Sequence, residues 1–150
     1  MEDPLSLNIP LQNFDSSRPL LPEGDYEFQI AEATVAPNKD KTGRNLELKF
    51  SLTSPATATN GATINPNYPV FNIYPLQAKE GGKDPDFFRR NLCDLLDAVL
   101  GTTISDRPAL TMDVVNSFVG RKVLVHVYVD EYPENSGVFS NKVKRLKKAS

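Results

Sequence analysis

The chain of 150 residues contains no tryptophan, one cysteine and one histidine, and it has no long apolar run. The single cysteine, Cys93, excludes an internal disulfide and is typical of a reducing compartment. No segment approaches the ~18 apolar residues that a membrane helix needs. The first residues also lack the basic start and apolar run of a signal peptide. We therefore expect a cytoplasmic protein without a membrane partner.

The scarcity of reactive side chains argues against catalysis. His126 lies in a valine-rich segment, and Cys93 lies among leucines, where a thiol acts as a small apolar filler. There is no Cys-x-x-Cys motif and no pair of histidines to bind a metal. Gly81-Gly82-Lys83 lacks the first glycine and the Ser/Thr of a phosphate-binding loop. The sequence thus predicts a protein that is not an enzyme and needs no cofactor.

Charge is distributed unevenly along the chain. The net charge is −2 overall, but residues 121–150 hold seven Lys/Arg against three Asp/Glu, whereas residues 1–120 hold ten against sixteen. This asymmetry predicts a basic face or end on an otherwise acidic body. A solvated tail that keeps the last strand soluble would give the same count.

Period-2 alternation of apolar residues predicts five strands, the first of which begins at Gly24. The other four are Leu46–Leu52, Val70–Tyr74, Arg121–Glu131 and Val138–Leu146. Asp84 as N-cap, Pro85 as first residue and Gly101 as stop predict one helix. A shorter helical turn is predicted from Thr111 to Phe118, and residues 53–69 are interpreted as a long loop.

The order of these elements predicts a mainly β fold. Three strands, a helix and two strands is the arrangement of a five-stranded OB-fold-like barrel with a helix between strands 3 and 4. A plain α+β sheet or a sandwich that lacks strands would fit the same count. Residues 23–148 form the predicted domain, and residues 1–22, with four prolines, form an extended N-terminal arm. The apolar residues of the arm need a surface on their own domain or on a neighbour; they are Leu5, Leu7, Ile9, Leu11 and Phe14.

Binding is the function that the remaining residues favour. Proteins that hold single strands place cations along the backbone and flat rings under the bases. In an OB barrel the second and third strands, with the loops joining strands 1–2 and 4–5, form the usual binding face. Tyr74 is expected to point outward there, whereas Phe139 is expected in the core. The predicted nucleic-acid-binding residues are Lys39, Lys41, Arg44, Lys49, Tyr74, Tyr132, Lys142, Lys144 and Arg145.

Several short segments resemble a family of small phage and prophage proteins. They are Leu21-Pro22-Glu23-Gly24-Asp25-Tyr26, Gly43 before Leu46-Glu47-Leu48, Val70-Phe71-Asn72, Phe118–Val123 and Asn141-Lys142-Val143. The family has no established function, and its members are suspected OB-fold single-strand binders. The resemblance covers about residues 20–146 and implies no catalytic residues. Many such binders end in an acidic tail that recruits partners, whereas this chain ends in basic residues.

These expectations lead to two hypotheses. The first is a non-enzymatic, single-stranded-DNA-binding protein of phage replication or recombination, which acts in the host cytoplasm as a homo-oligomer or with other phage proteins. The alternative is a structural or protein-interaction module of a phage or another multi-subunit assembly. The slightly acidic charge and the Pro-rich apolar arm support the alternative.

Overall fold

The computed structural model describes residues 8–13, 19–39, 41, 43–78 and 81–149. Nine elements follow one another along this part of the chain. They are β1 (Gly24–Pro37), β2 (Arg44–Leu52), β3 (Ala56–Thr57), β4 (Thr63–Ile64), β5 (Pro69–Pro75), α1 (Phe87–Leu100), α2 (Met112–Ser117), β6 (Lys122–Glu131) and β7 (Phe139–Lys148). No helix in the described ranges is long and apolar enough to cross a membrane.

Five of the strands form one antiparallel sheet in the order β5-β2-β1-β6-β7. The sheet curves enough that Cα atoms of its two edge strands, β5 and β7, come within 8 Å of each other. No backbone ladder joins these edges in the described part of the chain, so the sheet is not closed into a barrel. The prediction of a mainly β domain with five principal strands is therefore confirmed, and barrel closure is not.

The core lies on the concave face of this sheet. The alternating apolar residues of β2 are buried there, and so are Val123, Val125 and Val127 of β6, as their period predicts. Phe28 of β1 and Phe50 of β2, both fully buried, pack edge to face with ring centroids 6.4 Å apart. Phe118, which follows α2, is also fully buried. One apolar cluster therefore joins the sheet to the helical segment.

Two β-bulges set which side chains face outward. In β1 the register shifts between Ile30 and Glu32, so Ala31 is the extra residue. In β7 the register shifts between Val143 and Arg145, so Lys144 is the extra residue. A bulge interrupts the simple alternation of a strand, because two residues then oppose one on its partner. Each of these strands therefore exchanges its inward and outward positions at the bulge.

Helix α1 begins later than the sequence predicts. Phe87, not Pro85, is its first residue, and Asp86 occupies the N-cap position without a side-chain cap. Asp84 instead accepts a hydrogen bond from the backbone N–H of Asp86 and contacts Arg90, which stabilises a turn before the helix. The predicted stop is confirmed, since Gly101 has φ 72°, the left-handed conformation that favours glycine.

Helix α1 packs on β7, β5 and β6 through one buried side, so it lies across the two edge strands. Its buried residues are Leu95, Leu96, Ala98 and Val99. Helix α2 forms as predicted, since the Thr111 side chain accepts the N–H of Val114 at the N-cap.

The segment predicted as a long loop, residues 53–69, contains structure of its own. It holds the short hairpin β3–β4, and Ala58 and Ile64 are buried in the core. The interpretation of residues 53–69 as one long loop is therefore wrong. The polar composition of the segment gave no sign of the hairpin or of these two buried residues. The segment covers one end of the core.

The end of the predicted N-terminal arm belongs to the domain. Leu21 is fully buried, and its backbone N–H donates to Asn141 Oδ1 while its carbonyl accepts from Asn141 Nδ2. Residues 8–13 are exposed. Leu5, Leu7 and Phe14, which were also expected to need a surface, lie outside the described residues.

Candidate nucleic-acid interface

Two grooves lie end to end along the gap between β5 and β7, and we call them together the seam groove. The upper groove, of about 400 Å³, lies between residues 69–71 of β5 and 139–142 of β7, with Leu20 and Tyr68 at its side. The lower groove, of about 670 Å³, lies between residues 72–74 and 143–148, with α1 as its floor. The seam groove therefore follows nearly the whole length of both edge strands.

Two phenylalanine rings flank the upper groove and are exposed. Phe71 is paired with Lys49 on the outer face of β5 and is 60% exposed. Phe139, the first residue of β7, is 52% exposed on the opposite side. The expectation that Phe139 lies in the core is therefore wrong. The sequence analysis did not select Phe71 as a binding residue, because the predicted strand Val70–Tyr74 has large apolar residues at positions of both faces. Exposed rings beside a groove can stack on flat ligands.

Tyr74 does not face outward as predicted. It is paired with buried Leu46 across β2 and β5, and only 8% of it is exposed. Burial raises the pKa of Tyr74 to about 12, although a side-chain hydrogen bond with Asn72 acts in the other direction. This ring is part of the core and cannot stack on a base.

The predicted cations of β7 lie along one side of the seam groove. Lys142 and Arg145 share the outer face of β7, opposite Tyr128 and His126 of β6. Lys144, in the bulge, lines the lower groove. Within the part of the chain that the structure describes, none of these three forms an ion pair. Lys147, which the sequence analysis did not select, continues the row and lies 3.6 Å from Asp25.

The cations predicted in the first turn lie elsewhere. Lys39 and Lys41 are exposed in the turn between β1 and β2. Arg44 begins β2, and its backbone N–H donates to the side chain of Gln77, just beyond the end of β5. The upper groove lies at the opposite end of β5, so the structure does not bring these three residues together with Lys142. Tyr132 is exposed in the turn between β6 and β7, and its N–H donates to the carbonyl of Val138, beside Phe139.

Acidic residues surround Lys49, the remaining predicted cation. Glu32 lies directly across from it on β1, and Glu47 lies two residues before it on β2. Asp25 and Glu27 extend this acidic stripe along the outer face of β1. The centre of the outer face is thus unfavourable for a phosphate backbone, and the expected basic surface past Lys49 is not present.

His126 takes part in a polar cluster on the outer face. Its Nδ1 lies 2.8 Å from Asp25 Oδ1, and its Nε2 lies 3.4 Å from Glu23 Oε2. The hydrogen bond from His126 is the main reason that the pKa of Asp25 is lowered, with a smaller contribution from Lys147. These contacts connect β1, β6 and β7. No group of three His, Cys, Asp or Glu side chains in the described ranges could hold a metal ion.

The two halves of the seam groove differ in charge. Lys142 is the only charged residue that lines the described upper groove. The lower groove combines the β7 cations with Asp94 and Asp97 of α1. Asp97 is paired with Arg107 through two hydrogen bonds of 2.8 and 3.0 Å, which hold its pKa below the usual value. The upper groove is therefore the better candidate for an anionic ligand that also carries flat rings.

Comparison with known proteins adds no functional assignment. No protein-family model matches the chain, and no curated protein shows significant sequence similarity to it. The functional argument therefore depends on the residues and their arrangement.

Proposed function

We propose that this protein binds single-stranded DNA along the seam groove, without catalysis, as a phage-type replication or recombination protein does. One observation carries the proposal: the exposed rings of Phe71 and Phe139 flank a groove in which Lys142 is the only charged lining residue among those that the structure describes. Bases would stack on the rings, and phosphates would lie along Lys142, Lys144 and Arg145. Stacking tolerates any base, so we expect little sequence preference.

The strand order supports an OB-like origin for this surface. In an OB barrel strand 1 pairs with strands 2 and 4, and the sheet curls until strands 3 and 5 approach each other in a partly open barrel. Strands β1, β2, β5, β6 and β7 take these five places, with α1 against the two edges. We infer that the fold is a partly open variant of this barrel. The proposed site includes the third strand and the last turn but avoids the acidic stripe at Glu32 and Glu47.

A stacking test uses single substitutions at exposed positions. Phe71→Ala and Phe139→Ala should each weaken binding of a fluorescent 20-nucleotide poly-dT, measured by anisotropy at low salt, by about 5- to 150-fold, corresponding to a lost stack of ~1–3 kcal/mol. Ile104→Ala is the matched control because Ile104 is apolar and exposed in the α1–α2 connection. Unfolding midpoints should stay unchanged in all three. Absence of binding by the wild-type protein at low salt would refute the proposal.

Charge reversal tests the phosphate path. Lys142→Glu with Arg145→Glu should abolish most binding and reduce the slope of log K against log salt by ~1.4, since each single-strand phosphate contact contributes about 0.7. Lys39→Glu with Lys41→Glu changes the net charge equally at the other end of the sheet and should retain the full slope. An equal loss of affinity in the two double variants would mean that binding depends only on the net charge of the protein and not on the position of the cations. A poly-U oligonucleotide measured in parallel separates DNA from RNA binding.

The exposed apolar residues also favour a second candidate, a protein-interaction module of a multi-subunit assembly. Ile73, Val138 and Phe139 are exposed near the seam groove, and the outer face of β1 is acidic. If this reading holds, the wild-type protein binds no oligonucleotide at any salt concentration, and Phe71→Ala changes only its assembly. The anisotropy titration therefore decides between the two candidates.

A further inference from the structure

Two apolar side chains of the N-terminal segment are largely exposed in the described part of the chain. Ile9 is 65% exposed and Leu11 is 72% exposed. They lie two residues apart, and the sequence continues this alternation backward through Leu7 and Leu5. In an extended chain, residues at this spacing point to the same side. Residues 8–13 therefore present an apolar edge that needs a complementary surface.

The N-terminal segment leaves the domain at the seam groove. Leu20 lines the upper groove beside Phe71 and Phe139, and Leu21 is fixed to Asn141 of β7 by two hydrogen bonds of 2.9 and 3.0 Å. The chain from Leu21 back to Leu11 can span at most about 33–36 Å at ~3.3–3.6 Å per residue. Two copies whose seam grooves face each other are therefore within reach of each other's segments.

The segment and the groove are complementary in chemistry. Phe71 and Ile73 offer exposed apolar surface along β5, and β7 supplies a row of cations. Residues 1–17 contain three acids (Glu2, Asp3 and Asp15) and no Lys or Arg. The acids lie on both sides of residues 8–13, which are themselves uncharged, so an apolar edge flanked by negative charge matches an apolar wall beside a row of cations.

We propose that residues 8–13 of one copy lie in the seam groove of a second copy, with Ile9 and Leu11 packed against Phe71 and Ile73. The occupant comes from the second copy because both side chains are exposed in their own chain. The assembly does not depend on DNA binding. It would compete with DNA for the same groove, so the N-terminal segment would limit access to the site.

The oligomeric state tests the proposal without any nucleic acid. Wild-type protein should be a dimer or larger by light scattering after gel filtration, and Ile9→Asp with Leu11→Asp should raise the dissociation constant by roughly 10-fold or more for each lost apolar contact. Ile73→Asp should have the same effect from the groove side. Ile104→Asp is the matched control, since Ile104 is exposed and lies outside both the segment and the groove, and it should leave the assembly intact. Circular dichroism checks that each variant folds.

Disulfide trapping identifies the source of the segment. In a Cys93→Ser background, one chain carries Leu11→Cys and another carries Ile73→Cys. Mild oxidation of the mixture should produce the crossed dimer, and neither chain alone should cross-link to the same extent. A chain that carries both substitutions and closes an internal disulfide while monomeric would overturn the proposal. A wild-type monomer at all concentrations would overturn it as well.

Discussion

Asn141 connects three parts of the molecule, and its removal should loosen the N-terminal edge of the domain. Its side-chain oxygen accepts from the N–H of Leu21 and from the hydroxyl of Tyr68 at 2.9 and 2.7 Å. Its side-chain nitrogen donates to the carbonyl of Leu21 at 3.0 Å and, over a longer 3.4 Å, to the carbonyl of Tyr128. The site is half-buried, so water replaces these partners only in part. Asn141→Ala therefore leaves one donor and one acceptor of the Leu21 backbone without a partner.

The expected loss follows from the three short hydrogen bonds, to the Leu21 backbone and the Tyr68 hydroxyl; the longer contact with Tyr128 is left out of the sum. At about 1 kcal/mol for each hydrogen bond, Asn141→Ala should lower the free energy of unfolding by ~3 kcal/mol. For a chain of this size that corresponds to a midpoint about 6–12 °C lower. Tyr68→Phe removes only one of the three bonds and should cost ~1 kcal/mol. In the double variant Tyr68→Phe should add almost nothing, because its partner is already absent.

Urea denaturation and amide hydrogen exchange measure this prediction. The Leu21 amide should lose protection in Asn141→Ala and keep it in Tyr68→Phe, which serves as the control. If Asn141→Ala costs less than about 1 kcal/mol, or if Leu21 stays protected, the three bonds do not hold the segment. Fully additive costs in the double variant would equally refute the shared-partner geometry.

Two further predictions concern ionisation. Pairing with Arg107 lowers the pKa of Asp97 below its usual 3.8, so its contribution to stability is complete above that pH and disappears as the pH falls through the lowered value. Asp97→Asn should therefore lower the urea midpoint at pH 7, and its difference from the wild type should shrink as the pH is lowered below 3.8. Asp94→Asn is the control, and a loss that does not change with pH would refute the pairing. Ultraviolet titration of the five tyrosines should show one that ionises only at about pH 12, and Tyr74→Phe should remove that step. If the step persists in Tyr74→Phe, the burial of Tyr74 is refuted.

The alternation within β2 was sufficient to predict its inward face, but the same reasoning failed in β5. Both alternating sets in residues 69–75 contain large apolar side chains: Val70 and Tyr74, with Asn72 between them, on one face, and Phe71 and Ile73 on the other. The alternation therefore does not indicate which face of β5 is buried. The pairing of Tyr74 with Leu46 of β2 determines which face is buried. This register between distant segments cannot be deduced from residues 70–74 alone.

The surroundings of Lys49 depend on another long-range detail. Simple alternation from Phe28 and Ile30 would place Glu32 toward the core. The extra residue Ala31 turns Glu32 outward, where it lies opposite Lys49, and turns Ala33 and Val35 toward the core. A bulge leaves little trace in composition, so the acidic stripe could not be foreseen. The cations of β7 lie on one strand because they are close in sequence, and their role in binding stays a prediction.

The extra residue in β7 determines on which side of the strand its basic residues lie. The strand has basic residues at both even and odd positions: 142 and 144 before the shift, 145 and 147 after it. In an uninterrupted strand, half of them would point at the hydrophobic interior, where an unpaired charge is very costly. One inserted position turns the later half around, so Lys142, Arg145 and Lys147 share a side. The number of residues in this strand is therefore as important as their identity: if Lys144 took a regular place in the ladder instead of bulging, Arg145 and Lys147 would point inward.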